Sequence, residues 1–335
     1  MGCRETTFLV LYTLMNFKMT KRLYNSILIA FPKAGKTIWW LLKIILPISL
    51  FVSFLQYFGV ITQIALVLKP VFSIIGLPGE SAVVFISSFF LPLYAPVAII
   101  ATLPLTIRDI TILALMCLIS HNLLVETAVQ KKTGSSALIM FSLRVIASLT
   151  GAFILNLLLP VNLGTNQVVL KSIEYHNIAE MLLGWIQNSG YLVLKISLIV
   201  SGLMILQSIL KEYNVLVLIS KTFAPLMRVM GLHDDSSFLW FVSQTLGLAY
   251  GSAVMIEEVT NHEITPESAN LLNYHIAINH SLLEDTLLFV AIGVPAGWII
   301  TPRFIMAILV VWSVRGIIKY KSKAKIVQPI TNKIS

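Results

Sequence analysis

Ser120-His-Asn-Leu-Leu-Val-Glu-Thr127 and, 159 residues later, Asn279-His-Ser-Leu-Leu-Glu-Asp-Thr286 are two copies of one pattern. Each places a histidine and a carboxylate within a long apolar segment, Ile110–Val129 around the first and Ser268–Ile292 around the second. An ionisable side chain at membrane depth is costly and is usually kept because it has a task. The duplication therefore predicts an all-α polytopic membrane protein built as a two-fold repeat around a polar centre.

Composition agrees. Of 335 residues, 57% are hydrophobic and only 12% charged, with a mean hydropathy of +0.87, whereas soluble domains carry roughly 25% charged residues. The net charge of +9 comes from basic residues at the termini and in short loops, the pattern that anchors cytoplasmic segments, so nucleic acid is not an expected partner. Two cysteines, Cys3 and Cys117, make no disulfide framework and no zinc-type spacing. Thr7 to Met15 is too short to span and no small-residue cleavage site follows it, so no signal peptide is read. Met19-Thr-Lys-Arg is an equally good start, and no inference rests on the first 18 residues.

Outward from the two motifs, the chain divides into a basic cytoplasmic lead-in (1–36), a first repeat (37–160), a polar connector (161–178), a second repeat (179–318) and a basic cytoplasmic tail (319–335). The first repeat holds apolar segments at Thr37–Phe58, Val60–Ile75, Ser81–Leu103, Ile110–Val129 and Ser135–Leu159. The second holds Ala179–Leu210, Val215–Met230, Ser236–Ile256, Ser268–Ile292 and Trp298–Ile318. Matched residues run in order through both halves. Lys43 pairs with Lys195, Gln56 with Gln207, Pro70 with Pro225, Gly76-Leu77 with Gly231-Leu232, Ser87 with Ser243 and Tyr94 with Tyr250. His121 then pairs with His280, Thr127 with Thr286, Gly134 with Gly293 and Arg144 with Arg303. An ordered series of this kind marks a duplication.

If all five segments of each half cross, there are ten spans, both termini and Lys131-Lys132 lie inside, and the odd number per half makes the second repeat an inverted copy. If the 16-residue segments Val60–Ile75 and Val215–Met230 do not cross, eight spans remain and the repeats are parallel. The positive-inside rule favours ten. The expected location is the cell (inner, cytoplasmic) membrane, multi-pass, with cytoplasmic termini.

If each motif is a continuous helix, Asn122 stacks on Glu126 and Ser281 on Asp285, four residues apart on one face. Each histidine precedes its acid by five residues, about 140° round the helix, and so faces elsewhere. Glu284, four after His280, is placed to meet it, and Asn273, His275 and Asn279 enrich the same helix. Two readings stand. The acids Glu126, Glu284 and Asp285 couple to a proton or cation, with Asn122, His121, His280, Ser281, Asn279, Ser243, Gln244 and Tyr250 contacting a solute. Alternatively the acids balance the structural charges Lys43, Lys195, Arg144 and Arg303 and hold helices together.

The third segments add a second polar region. Phe90-Leu-Pro-Leu-Tyr-Ala-Pro96 and Gln244-Thr-Leu-Gly-Leu-Ala-Tyr-Gly-Ser252 should break or kink their helices at matching places. Backbone freed there must line a cavity or be met by neighbouring helices. Cys117, four before His121, has Ile276 as its mate, and the pair is read as core, not as metal ligands. No nucleophile elbow, zincin motif or phosphate loop occurs, so neither enzyme activity, cofactor nor metal site is expected.

The order of a Gly-Leu pair, a polar-broken helix and a His/Asn-plus-acid helix resembles the Gate-domain, or nucleoside-recognition domain, proteins. That family includes spore maturation membrane proteins, the membrane part of ferrous iron transporters of the FeoB type and the core of concentrative nucleoside transporters. Two Gate-like units would cover about 70–160 and 225–318. No GTPase domain and no extra scaffold spans are read here, so a complete FeoB or full nucleoside transporter is not expected. The resemblance implies a secondary transporter of a small polar or charged solute (nucleoside-like, organic ion or metal) bound at mid-depth between the repeats. The alternative is a non-transporting membrane scaffold or maturation-complex component. Expected partners are the lipid bilayer and the solute, with room for a homo-oligomer or a membrane partner.

Overall fold

The computed structural model describes residues 2–163, 176–213, 215–245, 247–261 and 263–326, so most of the connector expected at 161–178 and the end of the basic tail lie outside the described residues. Among the described residues there are helices and no strands. In the first half these are α1 (Gly2–Tyr57), α2 (Val60–Ile74), α3 (Ser81–Phe90), α4 (Tyr94–Ile100), α5 (Ile107–Ser120), α6 (Leu123–Lys132) and α7 (Ala137–Leu158). The second half has α8 (Ile178–Glu212), α9 (Val215–Val229), a 3-10 turn at Asp234–Ser236, α10 (Ser237–Thr245), α11 (Gly247–Thr260), α12 (Pro266–Ile278), α13 (Glu284–Ala291) and α14 (Ala296–Ile326).

Four glycines punctuate this order by the same device. Gly76, Gly134, Gly231 and Gly293 all have φ between 72° and 100°, a region costly for residues with a Cβ. At each, the next residue's N–H returns to the carbonyl five before it: Leu77 to Phe72, Ser135 to Gln130, Leu232 to Met227 and Val294 to Phe289. This is the Schellman ending, which meets carbonyls a helix leaves free. The Gly-Leu pairs of the sequence are thus helix stops, and Leu77 and Leu232 are buried beneath them.

The expected lead-in does not end at residue 36. It is continuous with the first apolar segment as α1, because Lys33 and Lys36 face outward and leave the helix uninterrupted. Ser81–Leu103 is broken, as its proline pattern predicts, with Leu91-Pro92-Leu93 between α3 and α4. Ile110–Val129 and Ser268–Ile292, expected as continuous helices, are broken too, at the two histidine motifs.

Among the described residues, five stretches are long and apolar enough to cross a membrane: Lys21–Tyr57, Ile107–Lys132 taken across its break, Ala137–Leu158, Ile178–Leu210 and Ala296–Tyr320. At 15 residues, α2 and α9 fall short of the ~20 that a typical core requires. Outward faces are apolar, with Trp39 and Phe51 on α1, Leu194 and Leu198 on α8, Leu138 and Leu157 on α7 and Leu309 on α14 all exposed. Such a surface suits lipid. In contrast, α5 is buried at every position from Ile110 to Ser120, as befits a helix apolar on all sides. It packs against α3 and α7 of its own half and α12, α13 and α14 of the other.

Two further contacts join the halves. The long helices α1 and α8 run antiparallel, with Arg22 bonded to Glu212 (2.9 Å), the Ser208 hydroxyl donating to the Ser26 carbonyl (2.9 Å) and Trp185 donating to Ser49 (3.0 Å). Inside, the Asn273 amide on α12 donates to Thr133 and Ser135 of the first half (2.9 Å each), and Ser135 donates to Asn270 (2.7 Å). Asn273→Leu removes the amide donor to two buried hydroxyls and should cost about 1–3 kcal/mol. Arg22→Ala, at an exposed ion pair, should cost less than about 1 kcal/mol. Melting of the purified protein in detergent checks the ranking.

Candidate functional site

The two motifs are where helices stop and restart. After α5 ends at Ser120, His121 is extended (φ −65°, ψ 153°) and Asn122 left-handed (φ 51°, ψ 31°) before α6 begins. After α12 ends at Ile278, Asn279 is extended (φ −133°, ψ 95°) and Ser281 left-handed (φ 46°) before α13 begins. Asparagine tolerates the left-handed region because its short amide can bond locally, and serine is less common there. These are the two non-glycine residues of positive φ among the described residues. The same-face stacking of Asn122 on Glu126 and Ser281 on Asp285, and the 140° separation of histidine from acid, both assumed a continuous helix. The breaks overturn the second, since His121 reaches Glu126, whereas the Glu126 and Asp285 N–H groups keep their i+4 bonds to Asn122 O and Ser281 O.

A helix broken at depth exposes carbonyls that water cannot reach. One arginine in each half takes them. Arg144 on α7 donates from Nε to the Ile119 carbonyl (2.6 Å) and from Nη2 to the His121 carbonyl (2.8 Å). Arg303 on α14 makes the same two bonds, to Ile278 (3.3 Å) and His280. Both arginines are completely buried. The freed N–H groups turn to carbonyls of the third segment of their own half; residue 246, within the second-half stretch where a break was expected, lies outside the described residues. Asn122 N–H donates to Ser88 O (2.7 Å), Ser281 N–H to Ser243 O (2.9 Å) and Leu283 N–H to Gln244 O (3.3 Å). The Gln244 amide returns a bond to Asn279 O (2.7 Å).

Held in this way, the ionisable groups of both halves meet. Glu126 Oε2 lies 2.7 Å from Arg144 Nη1. Its other oxygen, Oε1, is 3.4 Å from His121 Nε2 and 3.3 Å from His280 Nε2. Asp285 Oδ2 is 3.5 Å from His121 Nε2. The imidazole centroids are 5.2 Å apart, and all four side chains are at most 9% exposed. Each ring turns Nδ1 to the carbonyl four residues before it, His121 to Cys117 (3.0 Å) and His280 to Ile276 (2.7 Å).

The remaining expected residues take other places. Glu284 does not meet His280; its Oε1 accepts from the Tyr94 hydroxyl at 2.7 Å, across the halves. Ser243 donates its hydroxyl to Trp240 O. Lys195 donates to Ala291 O (2.9 Å) and lies 4.4 Å over the Tyr191 ring, while Lys43 is exposed beside Trp39. Of the four cations singled out, Arg144 is the one in an ion pair with an acid among the described residues. The Tyr250 side chain lies outside the described residues. His275 is wholly buried, edge-on to Trp240 and Phe304.

Sequence reasoning missed Tyr94 as a partner of Glu284 and Thr133 and Ser135 as partners of Asn273. The His-Asn and His-Ser dipeptides were the available sign of the breaks. Arg144→Leu strands two carbonyls and a carboxylate and should destabilise by about 3–5 kcal/mol. Adding Glu126→Gln should recover part of that loss, since the uncompensated charge is gone. A double-mutant cycle on melting in detergent checks the coupling, and strict additivity would contradict it.

A family model described as Gate, nucleoside recognition, matches residues 38–162, a range that contains the first motif, both breaks of the first half and Arg144. Among curated proteins, the uncharacterized membrane protein YvoD of Bacillus subtilis (strain 168) is 30% identical over 282 residues, covering 83% of this chain and 90% of the relative. No solved structure matches. On both findings, the chain belongs to the Gate, or nucleoside-recognition, family of membrane proteins.

Proposed function

We propose that the protein is a secondary transporter of a small polar or charged solute, with its site between two inverted repeats. The observation that carries this is the shared cluster: His121 and Glu126 from one half and His280 and Asp285 from the other, buried where two helix breaks face each other. Discontinuous helices meeting at a repeat interface are the recurrent architecture of secondary-transporter sites. In this reading each half contributes five units: α1, α2, α3–α4, α5–α6 and α7, then α8, α9, α10–α11, α12–α13 and α14. The repeats are 37–160 and 179–318. The paired arginine and glycine devices support duplication, and the antiparallel run of α1 and α8 supports inversion. Ten crossings place both termini and Lys131-Lys132 on the cytoplasmic side of the cell membrane.

Glu126, Asp285 and Glu284 are the coupling carboxylates. His121, His280, Asn122, Asn279, Ser281, Ser243, Gln244 and Tyr250 form the solute shell, its backbone included. Alternating access then requires the cross-half contacts, the histidines to Glu126 and Tyr94 to Glu284, to loosen and re-form as one half rocks against the other. The family description names nucleosides, so these belong in the test panel with organic ions and divalent metals.

The test is uptake by proteoliposomes under an imposed pH gradient with that panel. The expected result is gradient-driven accumulation of one solute class that falls at least about tenfold in Asp285→Asn and Glu126→Gln, each still monodisperse; a single general-acid/base or charge contact is typically worth that much or more. Normal uptake in both variants removes the coupling role. No uptake of any solute by the parent protein transfers the reading to a non-transporting scaffold.

A further inference from the structure

We propose that His121, His280 and Glu126, with Asp285 beside His121, form a binding site for a divalent first-row transition-metal cation. The proposal concerns occupancy of the cluster, whether the cation is carried or resident. It therefore stands or falls apart from the transport reading.

Lone-pair accounting makes the case. A backbone carbonyl only accepts, so the contacts of Nδ1 with Cys117 O and Ile276 O fix a proton on Nδ1 of each ring. A neutral imidazole so held presents an unprotonated Nε2. Both Nε2 atoms face the same carboxylate oxygen, Glu126 Oε1. Glu126 Oε1, His280 Nε2 and Asp285 Oδ2 are all buried without a hydrogen-bond partner. Three or four lone pairs aimed at one another in a dry interior repel unless positive charge lies among them. Protons on the rings or on the carboxyl groups, or one metal ion between them, relieve that repulsion.

The spacing favours metal. Zinc-type bonds of about 2.0–2.2 Å to nitrogen and oxygen place neighbouring tetrahedral ligand atoms about 3.3–3.5 Å apart. The separations about Glu126 Oε1 are 3.3 and 3.4 Å, and the ligand atoms of His121, Glu126 and His280 all lie within 4.8 Å of one another. The surroundings have the form that orients metal ligands: each ring's far nitrogen is tied to a carbonyl, and Arg144 holds the second oxygen of Glu126, leaving Oε1 as the single donor. Two imidazoles with carboxylates suit zinc or iron(II) over magnesium or calcium. The ligands come from both halves, His121 and Glu126 from the first and His280 from the second, so an ion bound there clasps the halves together.

The experiment uses the full chain, purified in detergent, stripped with a chelator and then dialysed against zinc, with magnesium and calcium as comparators. The expected results are about one tightly bound zinc per chain, a melting temperature raised by zinc alone, and affinity weakened at least about tenfold in His121→Gln and in His280→Gln. X-ray absorption of the zinc-loaded parent protein should show imidazole and oxygen neighbours and no sulfur, and this reading stands even if a variant fails to fold. Binding unchanged in both variants, sulfur in the first shell, or no zinc bound at neutral pH would each overturn the proposal. In the last case, stabilisation by mild acid without metal assigns the positive charge to protons on the rings.

Discussion

Inside a bilayer a broken helix has no water to meet its freed carbonyls, and here two buried guanidinium groups meet them instead. Arg144 and Arg303 each span two carbonyls, on either side of the residue where their helix stops. The planar fork of arginine suits this task, since it carries five donors in fixed directions, whereas a lysine offers a single point of charge. A buried guanidinium costs several kcal/mol of desolvation, so it persists where its bonds and a nearby anion offset that cost. Glu126 is that anion in the first half. In the first half the site follows from the constraint: the break takes an arginine, the arginine pairs with a carboxylate, and the carboxylate carries a second oxygen that faces the other half.

The halves share this scheme and differ in its use. Arg144 is ion-paired with Glu126, while Asp285 directs Oδ2 to His121 of the first half. Glu284, which has no acidic counterpart in the first motif, is engaged by Tyr94. Each half thus supplies a carboxylate that reaches into the other, and the interface is held by the same groups that could bind a cation or exchange a proton. In the proposed transport reading, a rigidly capped backbone with side-chain contacts across the halves is the arrangement that opening and closing would use.

Much of this was legible in the sequence, and the part that was not has a physical cause. Polar residues in apolar segments give the buried polar centre, and Pro92 gives the break between α3 and α4 because proline lacks the donor a helix needs. The breaks at His121-Asn122 and Asn279–Leu283 carry neither glycine nor proline, so apolar periodicity runs through them undisturbed. Reading through them placed each histidine on the wrong side of its helix. Contacts between halves, such as Tyr94 with Glu284 at a separation of 190 residues, depend on how the repeats dock, which spacing along one segment does not encode. The Gly-Leu pairs were seen as matched landmarks, and only their backbone bonds reveal them as helix stops.

The most direct test of the account is whether the two motifs meet in the membrane. His121→Cys and His280→Cys, introduced together with Cys3→Ser and Cys117→Ser, place two thiols where the ring centroids are 5.2 Å apart. A protease site in the polar connector at 162–177 allows the halves to be cut apart. After treatment of membranes with a short bis-thiol linker and proteolysis, the account predicts that the two fragments migrate as one species, and that either single cysteine leaves them separate. Fragments that separate despite both thiols being shown to react with a monofunctional reagent would contradict the joined site on which everything above depends.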